Sequence, residues 1–154
     1  MDRKGAMILN LAALATLTLG SAPATFALPG PGMIRITDRH IGGGRVDIGR
    51  PGPSIGDLQV LRELLYNTSI TPHPIGHAEL ICTYTGTVSR NCAGTYFLPK
   101  GKIVVGGPLL YRQLFELVVV GGTGLYSNVR GTLTVTSLTN GPHATDLLLF
   151  RLVP

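Results

Sequence analysis

The stretch that decides the fold is Val118–Tyr126, which reads Val-Val-Val-Gly-Gly-Thr-Gly-Leu-Tyr and is followed by Val129-Arg130-Gly131. The β-branched residues favour a strand, and the glycines permit the positive φ and close backbone approach that a sharp bend requires. In Gly131–Leu138 apolar Leu133 and Val135 alternate with threonines, which is typical of a second strand. The stretch therefore predicts two barrel or sandwich strands joined at Gly121–Gly124.

Further strand patterns recur on both sides of this turn at intervals of about ten residues, which indicates an all-β sandwich or barrel. Asp57–Tyr66 fits either a helix or a strand, because short apolar runs do not distinguish them. Met33–Thr37 predicts one short strand, and the Gly- and Pro-rich Ile41–Pro53 predicts a loop. Residues 28–55 are thus expected to form an arm, and residues 56–154 the β-barrel domain. The other predicted strands are Gly76–Thr85, Cys92–Leu98, Lys102–Val105, Leu114–Val120 and Ala144–Val153.

The composition supports many short elements and argues against nucleic-acid binding. The chain of 154 residues has 21 Gly and 11 Pro, and only 14% of its residues are charged. Trp is absent and the net charge of +5 is scattered along the chain, so we expect neither a stacking platform nor a phosphate-binding patch.

The N-terminus has the pattern of a secretory signal peptide. Arg3 and Lys4 precede an uncharged stretch, Met7–Leu19, and the small residues of Ser21–Ala27 suit a signal peptidase. We expect residues 1–27 to be removed and the protein to be secreted, without a stable membrane anchor because the apolar stretch is too short. The alternative is a retained N-terminal helix that covers the barrel mouth as a lid in a cytoplasmic protein.

Two cysteines, Cys82 and Cys92, are spaced as on neighbouring antiparallel strands. We expect a disulfide in an exported protein and buried thiols in a cytoplasmic one. The four histidines are isolated and have no metal-ligand spacing, so no metal or other cofactor is expected. They are His40, His73, His77 and His143.

Two predicted strands are apolar on both faces, which is unusual for an antiparallel barrel whose outer face meets water. They are Leu114–Val120 and Leu147–Val153. A second apolar face needs a cover, and another copy of the chain is the simplest one. We therefore expect a homo-oligomer, a dimer or a trimer.

Several of these stretches together resemble the allene oxide cyclase and dirigent-like barrel families. The resemblance covers residues 56–154 and includes Gly94–Ile103 and Gly106-Gly107, but its specific part is the segment from Gly121 to Gly131. It implies an eight-stranded antiparallel β-barrel, commonly a trimer, with a largely apolar cavity for a hydrophobic ligand.

The resemblance also suggests which residues line that cavity. Cys82 falls at the position of the cyclase family's cavity cysteine, with Leu80 two residues before it, although core packing or a disulfide to Cys92 is the favoured explanation of Cys82. On the first strand, Met33 and Arg35 occupy the positions where the plant cyclases carry a carboxylate and an amide. This departure argues against true allene oxide cyclase activity.

The catalytic candidates are Glu116, Tyr84 and Tyr96. Glu116 shares a strand face with apolar residues, so it is a candidate general acid or base if that face points inward, and lies in solvent or at a subunit contact if it points outward. Tyr84 and Tyr96 are candidate hydrogen-bond donors to a ligand carbonyl, although a packed aromatic role fits both. Glu79 and Asp146 are interpreted as ordinary solvated charges.

The sequence has no nucleophile elbow, phosphate loop or metal cluster. The remaining prediction is a cofactor-independent cyclase or isomerase, which folds a hydrophobic unsaturated substrate such as a polyketide or an oxygenated lipid for ring closure. The alternative is a secreted, dirigent-like protein that binds a hydrophobic small molecule without turnover.

Overall fold

The computed structural model describes residues 32–110 and 114–154, and in these residues eight antiparallel strands close into a barrel in chain order. Each strand pairs with the next one, and the eighth pairs with the first. The predicted eight-stranded antiparallel barrel is therefore confirmed, and the ambiguous segment before Asn67 is a strand. The strands are β1 Met33–Val46, β2 Leu58–Tyr66, β3 Gly76–Tyr84, β4 Ser89–Leu98, β5 Gly101–Leu110, β6 Leu114–Gly122, β7 Arg130–Ser137 and β8 Thr145–Val153.

The core forms because alternate residues of each strand point into the barrel. On β6, Leu117 and Val119 are buried, whereas Val118 and Val120 between and after them are exposed. Apolar side chains from every strand fill the interior in this way.

β1 differs from the prediction, because it continues to Val46 instead of ending near Thr37. The predicted loop over residues 41–53 therefore begins only after Val46, and the barrel begins at Met33. The reason lies in Gly43, where an added Cβ would lie 2.0 Å from the Val60 carbonyl oxygen. The glycines here allow β1 to pair closely with β2. This pairing is interrupted by a bulge at Ile41 and continues from Gly42 onward.

The turn at Gly121–Gly124 continues into a short 3₁₀ helix, Gly124–Tyr126. It packs against the β4–β5 turn, since the Leu125 amide donates to the Lys100 carbonyl at 2.8 Å. Tyr126 is buried and belongs to the core. The turn therefore closes this end of the barrel.

The two ends of the barrel carry different connections. The glycine turn shares its end with the β2–β3 and β4–β5 connections. The opposite end carries the β1–β2, β3–β4 and β7–β8 connections, and we call it the loop end.

The outer face of β6 is apolar apart from Glu116, as the sequence predicts. Leu114, Val118 and Val120 are each more than half exposed. Among the residues described, no helix is long and apolar enough to cross a membrane. The predicted signal peptide or lid, residues 1–27, lies outside the described residues.

Candidate functional site

A cavity of about 250 Å³ opens inside the barrel towards the loop end. Its residues come from all eight strands and from the β7–β8 connection. The apolar part of the wall consists of Leu61, Leu80, Leu109, Phe115, Leu117 and Val135.

Part of the wall is a disulfide between Cys82 and Cys92, which lie directly opposite each other on β3 and β4. Both residues line the cavity and are almost completely buried. The structure therefore contains the disulfide alternative, and Cys82 is not a free thiol in it.

Removing this bond with the Cys82→Ser, Cys92→Ser double substitution is expected to lower the free energy of unfolding by about 2–3 kcal/mol, because the bond closes a short loop in the unfolded chain. Urea denaturation of the oxidised protein and the double variant measures the loss. Adding reductant should destabilise the wild type alone; equal destabilisation of the variant would contradict the assignment.

The polar part of the cavity wall includes a cluster of three carboxyl groups, from Asp38, Glu63 and Asp146. Strand register brings them together, since Asp38 on β1 pairs with Asp146 on β8, and His40 two residues later pairs with Glu63 on β2. All three positions point inward in the alternation of their strands. We call these three residues the carboxyl cluster.

Each member of the cluster has a distinct environment. Asp38 is 1% exposed, and its Oδ1 accepts the Asp146 amide hydrogen at 3.0 Å. Asp146 Oδ1 accepts a hydrogen bond from the Ser137 hydroxyl at 2.8 Å. Glu63 Oε1 lies 3.4 Å from His40 Nε2, while the buried Oε2 has no hydrogen-bond donor among the N–H and hydroxyl groups of the described residues.

The electrostatics of the cluster favour keeping protons on it. Burial, followed by repulsion from Glu63 and Asp146, raises the pKa of Asp38 to about 10. Burial also raises the pKa of Glu63, to about 7, while a hydrogen bond from Asp38 opposes this rise. The two carboxyl groups therefore act as a coupled pair in which Asp38 holds the proton and donates it to Glu63.

This arrangement predicts an unusual dependence of stability on pH. Between the ordinary carboxyl pKa near 4 and the raised values, the folded protein holds protons that the unfolded chain has released, so the free energy of unfolding falls as pH rises. The slope is up to about 1.4 kcal/mol per pH unit for each proton. Urea denaturation from about pH 4.5 to about pH 8 measures it.

Glu63→Gln is expected to reduce the slope of the free energy of unfolding against pH, because the glutamine amide holds no titrating proton. Glu79→Gln is the matched control, since Glu79 is exposed on the outer face of β3. Equal slopes in wild type and Glu63→Gln would contradict the assignment.

Tyr96 adds a hydroxyl donor to the cavity. Its ring packs edge-on against Phe150, with 5.2 Å between centroids. Burial and then the three nearby carboxyl groups raise the pKa of Tyr96 well above its ordinary value. Its hydroxyl therefore stays protonated and can donate to a ligand oxygen.

Asp57 fixes the β1–β2 connection beside the cavity. This buried carboxylate accepts the Ile48 amide at 2.7 Å, the Ser54 amide at 2.8 Å and the Arg45 guanidinium at 2.6 Å. These hydrogen bonds, the one from Ile48 first, lower the pKa of Asp57 to about 2. Asp57 is a structural anchor, in contrast to the carboxyl cluster.

Of the residues predicted to form the site, Leu80, Cys82 and Tyr96 line the cavity. Tyr84 lies next to it, and its hydroxyl donates to the cavity residue Gln59 at 3.2 Å. The inward alternative for Glu116 is wrong, because the strand alternation places Glu116 on the outer face.

Glu116 is instead an outer-surface residue, and two other predicted cavity residues are also outside. Glu116 is 57% exposed, and its Oε1 accepts the Thr134 hydroxyl at 3.0 Å. Met33 and Arg35 are exposed because Ile34 and Ile36 take the inward positions of β1. The prediction that Met33 and Arg35 line the cavity is therefore wrong, because the inward positions of β1 are shifted by one residue from the predicted ones.

The carboxyl cluster was not predicted from the sequence, although the alternation of strand residues indicates that two of its members point inward. Glu63 lies between Leu61 and Leu65 in the alternation of β2, and Asp146 stands two residues before Leu148 in β8. The interpretation of Asp146 as a solvated charge is wrong, since it lines the cavity. In the described part of the chain, no group of three or more His, Cys, Asp or Glu side chains could hold a metal ion.

The closed barrel with its cavity is the fold of the allene oxide cyclase and dirigent-like proteins, which confirms the resemblance at the level of fold. No family model and no curated protein matches the chain. Among solved structures, a pyocyanin demethylase is 23% identical with a TM-score of 0.68, covering 79% of this chain and 99% of that one.

Two further structures show that cyclase-like and dirigent proteins share this barrel. A pterocarpan synthase dirigent protein is 15% identical with a TM-score of 0.68, covering 90% of this chain and 98% of that one. An exo-specific intermolecular Diels-Alderase is 16% identical with a TM-score of 0.58, covering 76% of this chain and 96% of that one. At these identities the likeness establishes the fold and leaves the substrate open.

Proposed function

We propose that this barrel is a cyclase or isomerase that encloses a small, hydrophobic, unsaturated substrate and moves a proton with the Asp38–Glu63 pair. The observation that carries the proposal is a pair of buried, coupled carboxyl groups at one side of a cavity whose wall also includes six leucine, valine and phenylalanine side chains. Groups whose environments push their pKa values apart are suited to act as acid and base in one site.

The chemistry follows from the protonation states of the pair. Asp38, protonated, donates its proton to a carbonyl oxygen or conjugated carbon of the substrate, while Glu63, ionised, removes a proton from a neighbouring carbon. The hydrogen bond between the two groups then returns a proton from Glu63 to Asp38. The product is an isomer with the mass of the substrate, and the carboxyl groups supply both acid and base for this step.

The cavity walls supply the second contribution. A wall of leucine, valine and phenylalanine side chains excludes water and restricts a flexible polyene to compact conformations, which favours ring closure. A volume of about 250 Å³ is below the usual range of about 300–1,000 Å³ for ligand pockets. This supports a compact substrate over a long-chain oxygenated lipid.

The second candidate function is binding without turnover in a secreted protein. The Cys82–Cys92 disulfide favours it, because disulfides form and persist in oxidising compartments outside the cytoplasm. The signal-like N-terminus agrees with that location. The apolar outer face of β6 supports our further proposal that the protein acts as a homo-oligomer.

Mass spectrometry can decide between the two candidates. The protein is purified under native conditions after incubation with extract of its source cells, the bound small molecule is extracted, and the same compound is returned to fresh protein. Conversion into an isomer of equal mass supports the enzyme, and stoichiometric binding without conversion supports the carrier. Failure to retain any small molecule would contradict both.

A further inference from the structure

We infer that the side-chain amide of Gln59 binds a carbonyl or carboxylate oxygen of the substrate. This inference rests on the proposed function, because it adds a recognition element to the same cavity. Gln59 is the second residue of β2, near the loop end, and belongs to the inward series that continues with Leu61 and Glu63. The carboxyl cluster supplies acid and base, whereas Gln59 supplies a group that can hold the substrate.

The first observation is that the oxygen of the Gln59 amide already has two donors. The Tyr84 hydroxyl donates to Oε1 at 3.2 Å, and Nη1 of Arg90 donates to the same atom. A guanidinium group only donates hydrogen bonds, so the contact with Arg90 fixes which end of the amide is the oxygen. The NH₂ group of Gln59 therefore points away from both partners.

The second observation is that this NH₂ group is available to a ligand. In the described part of the chain, no acceptor contacts it, and its nitrogen is not enclosed by other atoms. Gln59 is half-buried, lines the cavity and points into the barrel, so the open space that reaches the nitrogen is the cavity. A ligand there can accept a hydrogen bond from Gln59 without displacing one within the protein.

The third observation is the positive charge next to the amide. Arg90 is 8% exposed and lines the cavity. Its guanidinium group contacts Gln59 and lies 5.1 Å from the centroid of the Tyr84 ring. This part of the wall therefore presents N–H donors and positive charge, which favour an oxygen acceptor of the ligand and disfavour an ammonium group.

The position of Gln59 also bears on the shape of the substrate. Gln59 and Glu63 lie four residues apart on the same face of β2, which separates their Cα atoms by about 13 Å. A substrate that contacts both residues carries its oxygen towards the loop end and loses its proton at a carbon several bonds away. A conjugated carbonyl compound fits this description, because conjugation acidifies carbons that are remote from the oxygen.

The test compares 2-acetylnaphthalene, whose ketone oxygen accepts hydrogen bonds, with 2-ethylnaphthalene, which has a similar shape and no oxygen. Equilibrium dialysis gives the ratio of the two affinities in the wild type and in Gln59→Glu. Glutamate offers an acceptor to Tyr84 and Arg90 but has no N–H, so only the donor is lost. We expect the affinity for the ketone, relative to that for the hydrocarbon, to fall about three- to tenfold, as for a neutral hydrogen bond.

Asn91→Asp is the matched control, because it makes the same change from amide to carboxylate at an exposed position next to Arg90 on β4. It should leave the ratio of affinities unchanged. A purely structural role of Gln59 predicts no change in Gln59→Glu either, since both acceptor contacts are retained. An unchanged ratio in Gln59→Glu would overturn the inference. An equal fall in Asn91→Asp would also overturn it, since added charge would then be sufficient.

A second measurement uses only the wild type, so it stands even if Gln59→Glu does not fold. Nuclear magnetic resonance of isotope-labelled protein follows the side-chain NH₂ signals of Gln59, assigned through their connection to the β2 backbone. We expect the ketone to shift these signals more than the hydrocarbon does. A ketone that does not bind, or that shifts them no more than the hydrocarbon, would overturn the inference.

2-Naphthoate distinguishes the two kinds of oxygen. Tighter binding than that of the ketone assigns a carboxylate to the substrate, and weaker binding assigns a neutral carbonyl group. These probes do not react, so the inference and the proposed function fail separately. Absence of the Gln59 effect with Asp38-dependent turnover intact defeats only this inference. A clear Gln59 effect without conversion of the recovered compound defeats only the proposed function.

Discussion

Asp38→Asn is expected to reduce turnover of the recovered compound by about 10²–10⁴-fold, the usual contribution of a positioned acid or base. Asparagine has the shape of aspartic acid, and its oxygen can still accept the Asp146 amide hydrogen now received by Oδ1 of Asp38. Its NH₂ group can also donate to Glu63. The substitution therefore removes the transferable proton and keeps the hydrogen bonds, so kcat should fall while binding of the compound changes little.

Glu116→Gln is the matched control, because Glu116 is exposed on the outer face of β6. Steady-state kinetics with both variants, together with equilibrium binding, separates loss of chemistry from loss of affinity. Unchanged kcat in Asp38→Asn would remove this residue from the mechanism. An equal loss in Glu116→Gln would show that the effect does not come from the cavity.

Gly122→Ala is expected to lower the free energy of unfolding by about 3 kcal/mol or more, at the upper end of what overpacking costs. A Cβ at this position would lie 2.4 Å from the Tyr126 carbonyl oxygen and 2.5 Å from the Lys102 carbonyl oxygen. Both are backbone atoms, so relief requires β5 or the 3₁₀ helix to move. Urea denaturation measures the effect.

Gly121→Ala provides the control within the same turn, since an added Cβ at Gly121 meets no atom within 4 Å. Its φ also lies outside the left-handed region. We expect a change of less than about 1 kcal/mol, in line with an exchange that causes no strain. Similar losses in the two variants would contradict the assignment of the clash to Gly122.

The fold could be predicted from the sequence because strand alternation and turn residues are local signals. The alternation in Gly131–Leu138 and the glycines before it were sufficient to place β6 and β7. β1 was predicted too short, since Gly42–Gly44 have the composition of a loop. Their strand conformation depends on close pairing with β2, a contact distant in sequence that composition does not show.

The site was harder to predict because it depends on which face of each strand points inward. A shift of one residue reverses every assignment on a strand, and this is the error at Met33 and Arg35. Glu116 had the same ambiguity, since its strand is apolar on both faces. Inward-facing acids such as Glu63 also oppose the rule that charges lie in solvent, so they are recognised only when the closed barrel is known.

The glycine turn and the cavity occupy opposite ends of the barrel, and this separation affects how such chains diverge. Substitutions in the loop-end connections can change the chemistry of the interior without disturbing the tight packing around Gly122. The sequence of the segment that best identifies the fold then gives no information about the ligand. Relatives that bind the same ligand should be sought by acidic residues at interior positions with the spacing of Asp38, Glu63 and Asp146. A search by the glycine turn alone would group proteins with different functions.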